Sequence, residues 1–166
     1  MAHRKVKGLQ WACQLAGRPK IIPLGRPRGV KALGLRYERA LARAVPMAKH
    51  GLWFEFLDAN GPGFCQPDLV IEGQEAVLVL EVKLSWVPDG HTQIEELYRP
   101  VLAACCKKPV YGVQVTRNLR PGMGAVTVVG SLQEAVAEAK AGRLVCWHWL
   151  GNEVVSVGGK KEKAYG

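Results

Sequence analysis

Apolar positions recur along the chain at two spacings, one typical of helices and one typical of strands. Helical periodicity covers residues 31–45, 92–107 and 131–141. Short apolar or alternating runs predict strands over residues 52–57, 68–72, 76–84, 110–115, 125–129 and 144–150. The run at 76–84 is almost entirely apolar, which indicates a strand buried on both faces in the middle of a sheet. The predicted fold class is therefore α/β, with a mixed central sheet flanked by helices.

Glycine and proline interrupt this pattern. Six of them between positions 17 and 29 break any long helix, so the beginning of the chain is predicted to be an irregular arm. Residues 58–66 are predicted to form a loop for the same reason, and Pro100 should kink or split the helix that contains it. We expect an arm over residues 1–30, a single domain over residues 31–157 and a frayed basic tail over residues 158–166.

Positive charge is concentrated at the start of the chain. The net charge is +9, but residues 1–50 hold twelve lysines and arginines with one acid, whereas residues 51–166 hold eleven with thirteen acids. A basic segment joined to a mildly acidic body indicates a polyanionic partner such as DNA, and the alternative is a solubilising tail. The residues expected to contact DNA are Arg18, Lys20, Arg26, Arg28, Lys31, Arg36, Arg39 and Arg43.

Two stretches of the arm share a short motif. Gly17-Arg18-Pro19-Lys20 and Gly25-Arg26-Pro27-Arg28 resemble the Gly-Arg-Pro core of an AT-hook, which lies in the minor groove of DNA. The motif is only three residues long and matches often by chance, so an arm that contacts phosphates without reading the groove is favoured over a true hook.

The sequence lacks the marks of several classes of protein. No run of about 18 apolar residues is present, so no transmembrane helix is expected. The basic N-terminus is not followed by the apolar core of a signal peptide, and we expect a cytoplasmic protein. Five cysteines without any CxxC spacing argue against a zinc knuckle, an iron–sulfur cluster and a disulfide framework.

Candidate chemistry is concentrated on two neighbouring strands. A hairpin that turns between Gly73 and Ala76 places Asp68 opposite Glu81, on one face and about 5 Å apart. Lys83 lies two residues beyond Glu81 and therefore points to the same face. Two carboxylates this close repel each other unless a cation lies between them. Such a group of charges at the end of apolar strands is costly to bury without a function.

A divalent metal ion would give these residues a function. Two carboxylates suit a hard cation such as Mg²⁺, with Mn²⁺ as a substitute. The metal lowers the pKa of a bound water, and Lys83 can orient that water or offset charge on the transition state. A phosphodiester is the fitting substrate, since the basic arm already indicates one.

At these residues the sequence resembles the PD-(D/E)XK nuclease superfamily. Pro67-Asp68 followed by Glu81-Val82-Lys83 is similar to its signature, and Glu38 lies in a helix of the kind that precedes it. Residues 31–41 resemble the opening helix of archaeal-type Holliday-junction resolvases. The resemblance, over roughly residues 28–115, implies a restriction-endonuclease-like core. It also implies that Asp68, Glu81 and the Val82 carbonyl bind the metal, that Glu38 reaches it directly or through water, and that Lys83 is the catalytic lysine.

A second resemblance concerns the following helix. Gln93 and Tyr98 resemble the Gln…Tyr motif of RecB-like exonucleases, whose usual spacing is Gln-x-x-x-Tyr. Tyr98 comes one residue later, which in an α-helix rotates it from the Gln93 face by about 100°. The resemblance therefore assigns a catalytic role to Gln93 and none to Tyr98.

Together these observations predict a Mg²⁺-dependent DNA endonuclease of recombination or repair that prefers branched DNA such as a Holliday junction. A homodimer is expected, with the apolar segment 144–150 as a candidate interface. Trp147 and Trp149 share one face of that segment, which is either core or a surface for a dimer or DNA. A RecB-like exonuclease and a non-catalytic DNA-binding protein with a degenerate nuclease core remain alternatives. A phage or mobile element acting in a bacterial host is a fitting source for so small a basic nuclease.

Overall fold

The computed structural model describes residues 4–151, 153–155 and 161–163 of the chain. Its strands and helices follow one another in this order: β1 (Trp11–Gln14), α1 (Val30–Ala44), β2 (Lys49–His50), β3 (Phe54–Asp58), β4 (Gly61–Cys65), β5 (Leu69–Glu72), β6 (Val77–Ser85), α2 (Pro88–Gln93), a π-helical turn (Ile94–Tyr98), α3 (Arg99–Cys106), β7 (Val110–Asn118), β8 (Thr127–Val129), α4 (Leu132–Lys140), β9 (Val145–His148), β10 (Glu153–Val155) and β11 (Lys161–Lys163).

A six-stranded mixed sheet forms the centre of the fold, as the sequence predicted. Its strand order is β2-β5-β6-β7-β9-β8. β2, β5 and β6 are antiparallel neighbours, whereas β6, β7, β9 and β8 run parallel to one another. β6 lies between β5 and β7, and its residues 77–82 are buried. The predicted burial of this strand in the middle of a sheet is therefore confirmed.

Alternate residues of β6 face two different hydrophobic clusters. Leu78 and Leu80 pack in the cluster that contains residues of α1 and α4. Val77 and Val79 pack in the cluster that contains residues of β3, the π-helical turn and α3. Because side chains alternate across a strand, Glu81 belongs to the second face. The candidate catalytic residue Glu81 therefore lies on the side of the sheet that the π-helical turn and β3 cover.

The stretch from residue 58 to residue 66 is not a loop, contrary to the sequence prediction. β3 and β4 pair as an antiparallel hairpin in a small sheet of order β1-β3-β4. β4 is an edge strand, where Pro62 is tolerated although it has no N–H to donate. Gly63 lies so close to Phe56 that an added Cβ would come within 2.6 Å of the ring. The residues that suggested a loop, Pro62 and Gly63, are therefore compatible with an edge strand packed closely against β3.

Residues 4–15 belong to the folded body. β1 pairs with the free side of β3. The Arg4 guanidinium forms an ion pair with the buried Asp58 and lies 5.0 Å over the centre of the Phe56 ring. The expected irregular arm is therefore wrong for residues 4–15, because a pairing with a strand some forty positions away leaves little local signal. Residues 16–29 contain neither helix nor strand, as expected.

The helix predicted over residues 92–107 begins earlier and is interrupted next to Pro100. It starts as α2 with Pro88 in its first turn. At the π-helical turn the Arg99 N–H donates to the Ile94 carbonyl five residues back. Pro100 then lies in the first turn of α3, where the loss of its N–H costs least. The predicted split of the helix is confirmed: a π-helical turn, which contains one residue more than an α-helical turn, separates α2 from α3.

The last strand of the central sheet is buried within it. β9 is paired with β7 on one side and β8 on the other. Trp147 and Trp149 are buried in the core, so the core interpretation is confirmed and their use as a dimer or DNA-stacking surface is wrong. Within the segment 144–150, the exposed large apolar side chains are Leu144 and Leu150 at its two ends.

The end of the chain contains a further pair of strands. β11 pairs antiparallel with β10, so the expected frayed tail is wrong for residues 161–163. Residues 158–160 and 164–166 lie outside the described residues. None of the helices in the described part of the chain is both long and apolar enough to cross a membrane.

Candidate active site

Asp68 and Glu81 meet as the hairpin argument predicted. The Gly73 N–H donates to the Ala76 carbonyl at 2.9 Å and closes the turn. Leu69 is paired with Leu80, and the next step of this register brings Asp68 opposite Glu81. The short turn fixes this register.

Lys83 also lies on the predicted face. Its Nζ is 2.9 Å from Glu81 Oε1, while 34% of its side chain remains exposed. Glu81 itself is only 2% exposed. Among the described residues, Glu81 Oε2 is one of the few buried side-chain oxygen or nitrogen atoms without a hydrogen-bond partner. A buried acceptor without a partner is costly, so a cation bound at this oxygen would be stabilising.

Asp68 is held by the backbone of the neighbouring strand. Its Oδ2 accepts a hydrogen bond of 2.7 Å from the Val82 N–H. The observed contact of Val82 is thus made through its amide, whereas the family resemblance assigns its carbonyl oxygen to the metal. Because a backbone amide at the centre of a sheet is fixed, this bond keeps the Asp68 carboxylate beside Glu81.

Glu38 reaches the same cluster from helix α1. Glu38 Oε1 and His50 Nε2, which lies on β2, form a hydrogen bond of 3.0 Å. Its electrostatic interaction with Asp68 is strong enough to shift the pKa of Glu38, which places the two side chains next to each other. His50 could not be predicted from local spacing, since it follows Glu38 by twelve positions and lies outside any helical or ligand spacing.

Burial raises the pKa values of all three acids, and the charge of Asp68 raises those of the other two further. Burial, and then the charge of Asp68, raises the pKa of Glu38 and that of Glu81 from 4.5 to about 8. Burial also raises the pKa of Asp68. Burial opposes the charge of Lys83, but the Glu81 carboxylate outweighs it and keeps the pKa of Lys83 above its ordinary value. One ammonium therefore faces three carboxyl groups, and the cluster holds protons in place of a further cation.

The carboxyl groups of Glu38, Asp68 and Glu81 are of the chemical type that binds a hard divalent cation. Across the described ranges, no three or more His, Cys, Asp or Glu side chains are already arranged to hold a metal ion. Each acid instead uses one oxygen on a protein partner: Glu38 on His50, Asp68 on Val82 and Glu81 on Lys83. The excess of carboxylates and the orphaned Glu81 Oε2 are the features that Mg²⁺ or Mn²⁺ would satisfy.

The π-helical turn brings Tyr98 back to Gln93. The Gln93 Nε2 donates to the Tyr98 hydroxyl at 2.6 Å, and that hydroxyl donates to the Gln66 carbonyl at 3.2 Å. A regular α-helix would rotate Tyr98 from the Gln93 face, which is why no role is predicted for it from the sequence. That inference is wrong, since the extra residue of the π-helical turn offsets the longer spacing.

A cleft of about 580 Å³ joins these groups. Lys83 lies on its wall together with Gln93 and Tyr98. Clefts that bind small molecules or parts of larger ligands commonly measure roughly 300–1,000 Å³. The charged cluster therefore opens, at Lys83, on a space large enough for a nucleotide.

The eight basic residues expected to contact DNA are all exposed. Four of them lie on the irregular segment 16–29, and the other four lie on α1, the helix that carries Glu38. Arg39 is near enough to Glu38 for its charge to lower the pKa of that acid, against the larger opposite effects. The positive surface thus reaches the edge of the carboxylate cluster.

No family model matches this chain, and neither a curated protein nor a solved structure matches it. The arrangement of the site therefore carries the functional argument.

Proposed function

We propose that this protein is a Mg²⁺-dependent DNA endonuclease built on a restriction-endonuclease-like core of the PD-(D/E)XK type. The observation that carries the proposal is the convergence of Asp68, Glu81 and Lys83 at the end of one hairpin, with Glu38 beside them. Three carboxylates and a lysine at one place are the groups that hydrolysis of a phosphodiester needs, and the exposed basic residues supply affinity for its backbone.

Each residue has a role that follows from its position. Asp68, Glu81 and Glu38 would hold the metal, which when bound lowers the pKa of a water and offsets the phosphate charge. Lys83 points its ammonium toward the cleft, where it stabilises charge that develops on the phosphate oxygens. The Val82 N–H and His50 keep two of the carboxylates in place. Gln93, fixed by Tyr98, would orient the substrate from the wall of the same cleft.

The preferred substrate in this proposal is branched DNA, such as a four-way junction, in recombination or repair. Resolving a junction requires two cuts in strands of like polarity, which a twofold homodimer supplies. Light scattering that shows a monomer at micromolar concentration, together with equal cleavage of junction and linear duplex, would contradict this part.

The direct test incubates the purified protein with supercoiled plasmid, with and without Mg²⁺, and then with single-stranded, duplex, flap and four-way-junction substrates. Nicking that depends on Mg²⁺ supports an endonuclease. A gel shift without any cleavage would contradict the proposal and leave a DNA-binding protein.

A RecB-like exonuclease is the second candidate function. The hydrogen bond between Gln93 and Tyr98 favours it, because it restores the pairing of the motif in spite of the altered spacing. Linear duplex would then be degraded from its ends, whereas covalently closed circles would survive. The same plasmid experiment, repeated after linearisation, separates the two activities.

Replacing His50 with alanine should reduce cleavage roughly 10- to 100-fold, the usual effect of removing a residue that orients a metal ligand. The physical reason is the 3.0 Å bond to Glu38, without which that carboxylate is free to turn away. The rate is measured against Mg²⁺ concentration, and the variant should need more Mg²⁺. His148→Ala is the matched control, since His148 bonds to the Arg117 carbonyl on another part of the sheet. Equal Mg²⁺ dependence in both variants would exclude this role.

Replacing Arg18, Lys20, Arg26 and Arg28 with glutamine should lower the salt dependence of DNA binding by a slope of roughly 2–4, at about 0.9 per phosphate contact. These four cations are exposed on the irregular segment, so the fold should be unaffected. Deleting residues 1–28 is unsuitable, because it would also remove β1 and the partner of Asp58. Arg120→Gln with Lys140→Gln is the control for charge elsewhere. An unchanged slope would show that the segment does not contact DNA.

A further inference from the structure

Two aromatic side chains line the cleft beside Lys83. Trp53 directly precedes β3, and Phe64 lies in β4. Both are half-buried rather than enclosed. They therefore present part of their rings to the same space that Lys83 lines.

The register of the β3–β4 hairpin explains why these rings are not used in the core. Phe54 is paired with Cys65 and Phe56 with Gly63, and these residues form the face packed against the central sheet. Phe64 is paired with Glu55 and so belongs to the opposite face. Trp53 falls on that face too, since it precedes Phe54 by one position. Packing of the hairpin thus leaves Trp53 and Phe64 free to contact a ligand.

Polar groups complete the wall of the cleft. Gln66 is exposed and Gln93 is half-buried, and both have amide side chains that can donate and accept hydrogen bonds. Aromatic faces combined with a few amide groups are what single-stranded nucleic-acid sites use to hold a base. A base within a duplex has both faces covered by its neighbours, so only an unpaired base can use such a cleft.

We propose that the cleft lined by Trp53 and Phe64 holds one unpaired nucleobase next to the phosphate that is cut. This inference rests on the proposed function and narrows its substrate to DNA with an unpaired nucleotide at the cut, such as a flap or a single-stranded end. A four-way junction would fill the cleft only where a base at its branch point is unpaired.

The test compares affinities in Ca²⁺, which supports binding without requiring cleavage. Fluorescence anisotropy gives the ratio of affinity for a flap substrate to affinity for a fully paired duplex of the same length. Trp53→Leu and Phe64→Leu should each lower this ratio roughly tenfold, the usual effect of losing one base–aromatic contact. Trp11→Leu, which alters an exposed tryptophan on β1, should leave it unchanged. A ratio that stays constant in both cleft variants would overturn the inference.

A second measurement needs only the wild-type protein. A flap with 2-aminopurine as its unpaired base at the junction should lose fluorescence on binding, because the probe stacks on an aromatic ring. The same probe placed within the duplex should change little, and an equal response at both positions would also overturn the inference. The proposed function can fail independently of this inference: it fails if no DNA is cut in Mg²⁺ although the protein still binds the flap in preference to the duplex.

Discussion

Glu81→Ala should abolish hydrolysis of DNA while the protein continues to bind it. Asp68→Ala and Lys83→Ala should do the same, each lowering the cleavage rate by roughly 10²- to 10⁴-fold, the range for loss of a positioned catalytic group. The reason is the arrangement of the three residues: Glu81 lies between Asp68 and Lys83, and each depends on the other two for its charge state. Removing an acid also removes repulsion toward phosphate, so DNA binding by the two acid variants should be equal or tighter.

The measurement pairs single-turnover cleavage in Mg²⁺ with a binding titration in Ca²⁺. Glu75→Ala is the matched control, since Glu75 is an exposed acid in the turn of the same hairpin. It should cut at the wild-type rate. Wild-type cleavage by any two of the three site variants would remove the basis of the assignment. A parallel loss of binding and cleavage would indicate misfolding. Glu81→Gln is close in shape to the natural residue, so it should fold and bind DNA but not cut it, which distinguishes misfolding from loss of chemistry.

The centre of the site could be predicted because it rests on local rules. Asp68 and Glu81 are joined by a short hairpin, and its turn between Gly73 and Ala76 sets the register that brings them opposite each other. Lys83 then follows from the two-residue period of a strand. These three positions needed no knowledge of distant parts of the chain.

The remainder of the site depends on long-range contacts that leave little local signal. His50 meets Glu38 only because β2 pairs with β5 at the edge of the central sheet. Trp53 and Phe64 reach the cleft through a hairpin whose glycines and proline suggested a loop. Edge strands need few apolar residues, so their sequences are easily mistaken for loops.

Tyr98 shows how a correct rule can give a wrong answer. Its position relative to Gln93 was judged on the geometry of a regular α-helix, where five residues do not return to the same face. The π-helical turn changes that geometry, and such turns are found frequently at functional sites. An unexpected spacing in a helical motif is therefore a reason to look for an inserted residue before discarding the motif.

The raised pKa values of the acids predict how stability depends on pH. Burial, and then the charge of Asp68, brings the pKa of Glu81 to about 8 in the folded protein, against 4.5 for an exposed glutamate. The charged and titratable groups facing it are Asp68 from β5, Lys83 on β6, Glu38 from α1 and Tyr98 from the π-helical turn. An acid whose pKa is higher in the folded state binds its proton more tightly there than in the unfolded chain. The metal-free protein should therefore lose free energy of unfolding as the pH rises from 4.5 to about 8.

Mg²⁺ should reverse this loss, because it supplies the positive charge that the protons supply at lower pH. At a hundredfold excess over its dissociation constant it should add about 2.7 kcal/mol to the free energy of unfolding, and the gain should shrink in acid. Thermal unfolding across this pH range, with chelator and then with Mg²⁺, measures both effects. Glu81→Gln should be more stable than the natural protein in chelator above about pH 8, although it cannot cut DNA, and should gain less from Mg²⁺. Stability that rises with pH in the metal-free protein, or no response to Mg²⁺ at any pH, would show that these carboxylates do not form a metal site.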